Sequence, residues 1–89
     1  MEIRFSKEIV KELKKIKKYD PILLKQIEKK LILFRTNINH NSLRLHKLSG
    51  ELDNLWSISI NMSIRMVYVK ISENEAYFVN IGTHDEVYR

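Results

Sequence analysis

Apolar and polar positions alternate along this chain with a period that changes as it runs. Met1–Phe5 (MEIRF) sets Ile3 and Phe5 between polar Glu2 and Arg4, a period of two that predicts a short strand. Ser6 is a suitable N-cap for the helical pattern after it. Ile9, Leu13 and Ile16 then recur at helical spacing with Val10 beside them, one apolar stripe of a first helix. Lys7, Lys11, Lys14 and Lys18 repeat at the same spacing about half a turn away, so a lysine ridge backs the apolar stripe.

Tyr19, Asp20 and Pro21 break that helix and start another. Proline disfavours helical geometry in the residue before it and is well tolerated at the first helical position, which makes Asp20 the next N-cap. Leu23, Leu24, Ile27, Leu31 and Phe34 form the second apolar face, with Lys25, Gln26, Glu28, Lys29 and Lys30 outside it. The short break makes the two helices antiparallel neighbours. Residues 36–43 (TNINHNSL) are polar and predict a loop.

After Gly50 the period returns to two. Trp56, Ile58 and Ile60 alternate with Ser57 and Ser59, a strand with one buried face. Residues 61–63 (NMS) predict a turn. Ile64–Ile71 (IRMVYVKI) is apolar at nearly every position and suits a central strand covered on both sides. Residues 72–75 make a second turn, Ala76–Ile81 (AYFVNI) a further strand, and Gly82 ends it before the tail THDEVYR. The order is β-α-α-β-β-β. Helices that precede a hairpin-linked sheet predict an α+β, two-layer domain over 1–89, a helical hairpin on a mainly antiparallel sheet.

Composition narrows the function classes. Eighty-nine residues with 44% hydrophobic and 30% charged positions suit one small globular domain. The absence of cysteine excludes disulfides and thiolate-bound zinc. No apolar run approaches the ~18–20 residues of a membrane span, and the chain opens on charged residues without a signal stretch; it reads as cytoplasmic, with no membrane partner. The charge is uneven. Residues 1–50 carry 13 Lys/Arg against 5 Asp/Glu, whereas residues 51–89 carry 3 against 6. A basic half suggests a polyanionic partner, although lysine-rich helices are also simply well solvated.

Arg65 is the one charge between Ile64 and Val69. Alternation puts it on a face with Val67, Val69 and Ile71, away from Met66 and Tyr68. A guanidinium is too costly to bury unpaired in a core, so its face is expected to be the open one, where the fork can clamp a phosphate. The other reading is a salt bridge to Glu73, Glu75 or Asp85. His84 comes just after the last strand, and imidazole suits proton transfer because its ordinary pKa is ~6.5; a lone histidine there is more often a surface residue. His46 and Lys47 enter the sheet where they can reach the open face, or are ordinary loop residues. Tyr88 can stack on a base or donate its hydroxyl, or can anchor the tail with Val87. Trp56, Tyr68 and Phe78 read as core. His40, His46 and His84 have no metal-ligand spacing, and the two glycines leave no phosphate-binding loop, so no metal or cofactor is expected.

The segments HKLSG (46–50), LWSISIN (55–61), IRMVYVK (64–70) and IGTHDEVYR (81–89) resemble the RelE/ParE superfamily of bacterial toxins from type II toxin–antitoxin pairs. The resemblance spans nearly the whole chain, and the tail is similar to the members that act as RNA endonucleases rather than to those that inhibit DNA gyrase. It implies that Arg65 meets the scissile phosphate, that His84 is the general acid, that His46 is the base and that Tyr88 is the terminal aromatic. Many relatives carry an arginine after the tryptophan where this chain has Ser59.

The implied chemistry is metal-independent cleavage of mRNA on the ribosome by attack of a 2′-hydroxyl, with Lys47, Lys11, Lys14 and Lys18 binding RNA phosphates. Two alternatives remain: a gyrase inhibitor on the same fold, and a weakened toxin fold that only binds. In each case the implied partner is a small antitoxin with an acidic, amphipathic segment, in a toxin–antitoxin hetero-oligomer.

Overall fold

The structure is a computed structural model that describes residues 1–48 and 54–87. Strand β1 (Glu2–Phe5) leads into α1 (Lys7–Tyr19) and α2 (Pro21–Thr36). A 3₁₀ turn at Asn41–Leu43 precedes the two-residue strand β2 (His46–Lys47). Strands β3 (Leu55–Ser59), β4 (Ile64–Ser72) and β5 (Glu75–Thr83) come next, and a one-turn helix α3 (His84–Val87) closes the described chain. The five strands lie in the order β1-β5-β4-β3-β2. β1 is parallel to β5, and the other pairs are antiparallel.

The helix caps are those the sequence predicts. Ser6 Oγ accepts from the Ile9 amide at 3.1 Å, and Asp20 Oδ1 accepts from the Leu23 amide at 3.1 Å. Pro21 stands at the first position of α2. The apolar stripes of the two helices meet the sheet through Ile9, Ile27 and Phe34, each 1% exposed. The Phe34 ring packs edge-on against Tyr68 and Phe78, with centroids 5.1 and 5.5 Å away. Burying a side chain of that size contributes about 2–3 kcal/mol, so these rings fix α2 on β4 and β5. Burial also pushes the Tyr68 hydroxyl up from 10.0 to about 12.

β4 is central, and Met66, Val67 and Tyr68 near its middle are all buried. Met66 and Tyr68 belong to the core beneath the helices, so Arg65 and Val67 occupy the opposite face.

A bulge in β5 then sets what lies beside Arg65. Val67 pairs with Asn80 but Tyr68 pairs with Phe78, so Val79 is an extra residue. The insertion reverses alternation beyond it: Ile81 turns to the core, while Gly82 pairs with Arg65 on the open face.

Several elements differ from expectation. β5 extends through Gly82 to Thr83, and the tail begins as a helix. Its cap is reciprocal: Thr83 Oγ1 accepts from the Glu86 amide at 3.3 Å, and Glu86 Oε1 accepts from the Thr83 amide at 2.7 Å. Ser57 and Ser59 are buried instead of forming an exposed face, and the Arg65 side chain reaches across to Ser57. Within the expected loop, Leu43 is fully buried and anchors the 3₁₀ turn. Among the described residues, no helix is long and apolar enough to cross a membrane.

Candidate active site

Arg65 stands near the start of β4, on the face away from the helices. Its side chain folds back along the sheet to Ser57. Ser57 Oγ accepts from Arg65 Nη2 at 3.0 Å and from Nε at 3.3 Å. Because Ser57 is fully buried, its hydroxyl is a fixed seat. Nη2 also donates to the backbone carbonyl oxygen of Arg44 at 3.0 Å. Arg44 ends the 3₁₀ turn at φ 44 and ψ 50, and is the one non-glycine residue at positive φ among those described. Both of these acceptors are neutral oxygens, and together they orient the guanidinium.

A groove of about 370 Å³ opens beside this seat. Lys30, Arg44, Arg65 and His84 line it, with Ser59 and Asn61 among its polar walls; none of the described lining residues is acidic. Four nitrogenous side chains around one small groove suit an anion the size of a phosphodiester.

Three elements converge to build it. The β3–β4 turn is organised by Asn61, whose Oδ1 accepts from the Ser63 and Ile64 amides at 2.8 Å each. Asn61 Nδ2 donates to Gln26 Oε1 at 2.9 Å, which ties the turn to α2. One helical turn further along α2, Lys30 Nζ donates to the Ser42 carbonyl at 3.0 Å. The third element is α3. Gly82 lacks a side chain where a Cβ would come within 3.1 Å of Glu86 Cβ and Oε1, so Glu86 folds over it and caps the helix that begins with His84.

Of the residues singled out in the sequence, Arg65 and His84 line the same groove. His84 Nδ1 lies 3.7 Å from Asp85 Oδ1, beyond hydrogen-bond distance, and both side chains are well exposed. His46 pairs across β2–β3 with Ser57, so it shares the open face and neighbours the hydroxyl that seats Arg65. Of the acidic residues weighed for Arg65, Glu75 pairs with Arg4 at 3.1 Å and Glu73 lies 3.7 Å from Lys70. Tyr88 lies outside the described residues.

Lys47 is not on the open face. Its register opposite Trp56 turns it the other way, and its Nζ sits 6.0 Å from the Trp56 ring centre. Lys11, Lys14 and Lys18 are also apart from the groove. They ride the flank of α1 opposite Ile9, Leu13 and Ile16, so the sheet stands between them and Arg65. Sequence reasoning missed Lys30, Arg44 and Ser57. Only the T-x-x-E run at 83–86 carried a readable signal, and it was for the helix that holds His84.

No protein-family model and no curated protein matches the chain. Solved structures do. A chain of the heterotetrameric YoeB–YefM toxin–antitoxin complex from Staphylococcus aureus superposes with a TM-score of 0.76 at 24% identity, covering 94% of this chain and 97% of that one. A YoeB/ParE toxin from Agrobacterium tumefaciens gives a TM-score of 0.77 at 15% identity, over 94% and 99% of the two chains. The DinJ–YafQ toxin–antitoxin complex from E. coli gives 0.76 at 17% identity, over 99% and 97%. At these identities the likeness is one of fold.

Proposed function

From a chain that has the RelE-like fold of the YoeB and YafQ toxins, we infer the toxin of a toxin–antitoxin pair, acting as a metal-independent endoribonuclease on mRNA. The observation that carries this reading is the shared groove of Arg65 and His84, with the guanidinium oriented by two neutral oxygens.

The reaction uses the groups present. The RNA 2′-oxygen attacks the adjacent phosphorus as its proton passes to a base, and the bond from phosphorus to the 5′-oxygen breaks as an acid delivers a proton there. The products are a 2′,3′-cyclic phosphate and a free 5′-hydroxyl. Arg65 stabilises the crowded phosphate, His84 is the acid, and His46, beside Ser57, is the base. Tyr88 comes after α3 in sequence and takes the stacking role. Losing one electrostatic contact of the Arg65 kind typically costs ~10²–10³ in rate.

The partner is an antitoxin. The YoeB and YafQ structures are complexes with YefM and DinJ, and here the exposed lysines of α1 favour an acidic segment. Binding to the folded toxin alone also raises its apparent stability. The test is expression without antitoxin. Growth arrest with cut mRNA is expected from the parent chain and not from Arg65→Ala or His84→Ala. Arrest with double-strand DNA breaks and intact mRNA would overturn the reading in favour of a gyrase inhibitor.

A further inference from the structure

The groove that Arg65 and His84 line is also lined by Lys30 of α2 and by Ser42 and Arg44 of the 3₁₀ turn and its cap. We propose that Lys30 and Arg44 form a second phosphate subsite, which holds the nucleotide next to the scissile bond of a single-stranded RNA. This deepens the nuclease reading and rests on it.

The geometry fixes both cations. Lys30 is the partly buried lysine of α2, and Gln26, one turn earlier on the same face, is hydrogen-bonded to Asn61 of the β3–β4 turn. The helix is thus pinned beside the groove. The Lys30 ammonium has three donors, and one goes to the Ser42 carbonyl, which holds it at the wall with its full charge. A lysine that served only to balance surface charge would have no reason to be tethered there, since a mobile side chain loses rotamer entropy on fixing.

Arg44 arrives by a different route. Its left-handed backbone turns its carbonyl toward Arg65. The residue itself lines the same groove as Lys30 and Arg65.

The separation of the two cations is bounded by the chain between their acceptors. Lys30 Nζ is 3.0 Å from the Ser42 carbonyl, and Arg65 Nη2 is 3.0 Å from that of Arg44. Two residues of chain span at most ~7 Å, so the two nitrogens lie no more than about 13 Å apart. Adjacent phosphates of an extended strand fit within that reach. A site with one cation would hold a phosphate, but could not align the strand through it. Two anchors fix both the position and the direction of the backbone, which in-line attack by the 2′-oxygen requires.

Salt-dependent binding reads this directly, because each phosphate contact on a single strand adds about 0.7 to the slope of log affinity against log salt. The probe is a fluorescein-labelled RNA hexanucleotide, 2′-O-methylated throughout so that it cannot be cut, titrated by anisotropy at several salt concentrations. Lys30→Gln is expected to flatten the slope by about 0.7 and to weaken binding severalfold, and Lys30→Arg to retain the parental slope. A Lys30→Gln slope equal to the parent's overturns the proposal. So does an equal loss in Lys15→Gln, a surface lysine of α1, or no binding by the parent chain. Failure of the nuclease reading would show separately, as a parent chain that binds the probe but cuts no unmodified RNA.

Discussion

Arg65 and Arg44 meet through one hydrogen bond of 3.0 Å, from Nη2 of the first to the backbone carbonyl oxygen of the second. Two arginines of like charge approach each other here because the contact is made through a backbone dipole. Arg44 adopts φ 44 to present that oxygen, and a left-handed residue other than glycine costs about 1 kcal/mol or more. Strain in the turn is thus coupled to the orientation of the cation that the proposed mechanism needs.

Arg44→Gly separates these two roles. Glycine accepts the left-handed geometry, and the relief of about 1 kcal/mol offsets its greater freedom in the unfolded chain. The midpoint of thermal unfolding is expected to stay within about 3 °C of the parent, while growth arrest weakens through loss of the side chain. A large fall in the melting temperature would contradict this account of the turn.

Ser57→Ala removes the seat of Arg65 while keeping the guanidinium itself. Both bonds at 3.0 and 3.3 Å are lost, and a misplaced catalytic group costs about tenfold to a hundredfold in rate. Cleavage of a defined RNA should fall by that factor with a stability loss of only about 1–3 kcal/mol. Ser57→Thr keeps the hydroxyl and should recover part of the rate. Parental cleavage by Ser57→Ala would show that the seat is not used.

The cap of α3 is open to a similar test. In Gly82→Ala the new Cβ would meet Glu86 at 3.1 Å and push its carboxylate off the Thr83 amide. The expected result is about 1 kcal/mol of lost stability and a slower cleavage rate, since His84 begins that helix. Glu86→Ala should resemble it. If both variants cut RNA at the parental rate, the helix does not position His84.

Tyr68 gives an alkaline signature of the core. Burial raises its hydroxyl to about 12, so the folded chain holds this proton more tightly than the unfolded chain does. The stabilisation is therefore fully present below pH ~10 and is lost as the pH rises toward 12, over a range of about 2–3 kcal/mol. Urea midpoints should fall between pH 9 and pH 11.5, and should fall more for the parent than for Tyr68→Phe. Equal falls would contradict the assignment.

The sequence exposed whatever local periodicity and capping determine. Ser6, Asp20 and Pro21 mark the helix starts, and the alternation around Trp56–Ile60 and the apolar run from Ile64 mark the hairpin strands. Pairings distant in the chain left no such trace. The parallel contact of β1 with β5 joins Glu2 to Glu75, and no local pattern reports it. Lys47 was misplaced because which face it takes depends on pairing with Trp56. At Ser57 the alternation of small polar residues with isoleucines predicts exposure, whereas in the fold it is buried and bonded to Arg65 of the next strand. The bulge at Val79 brings Gly82 opposite Arg65, and a strict period of two would have put it on the other face.

The most direct test of the central claim uses an oligonucleotide that is DNA except for one ribose, incubated with the purified chain in excess chelator. One cut is expected, immediately 3′ of that ribose, with a 2′,3′-cyclic phosphate on the upstream fragment and a loss of at least about a hundredfold in Arg65→Ala. Cutting of the all-DNA control, a requirement for added metal, or parental activity in Arg65→Ala would each contradict it.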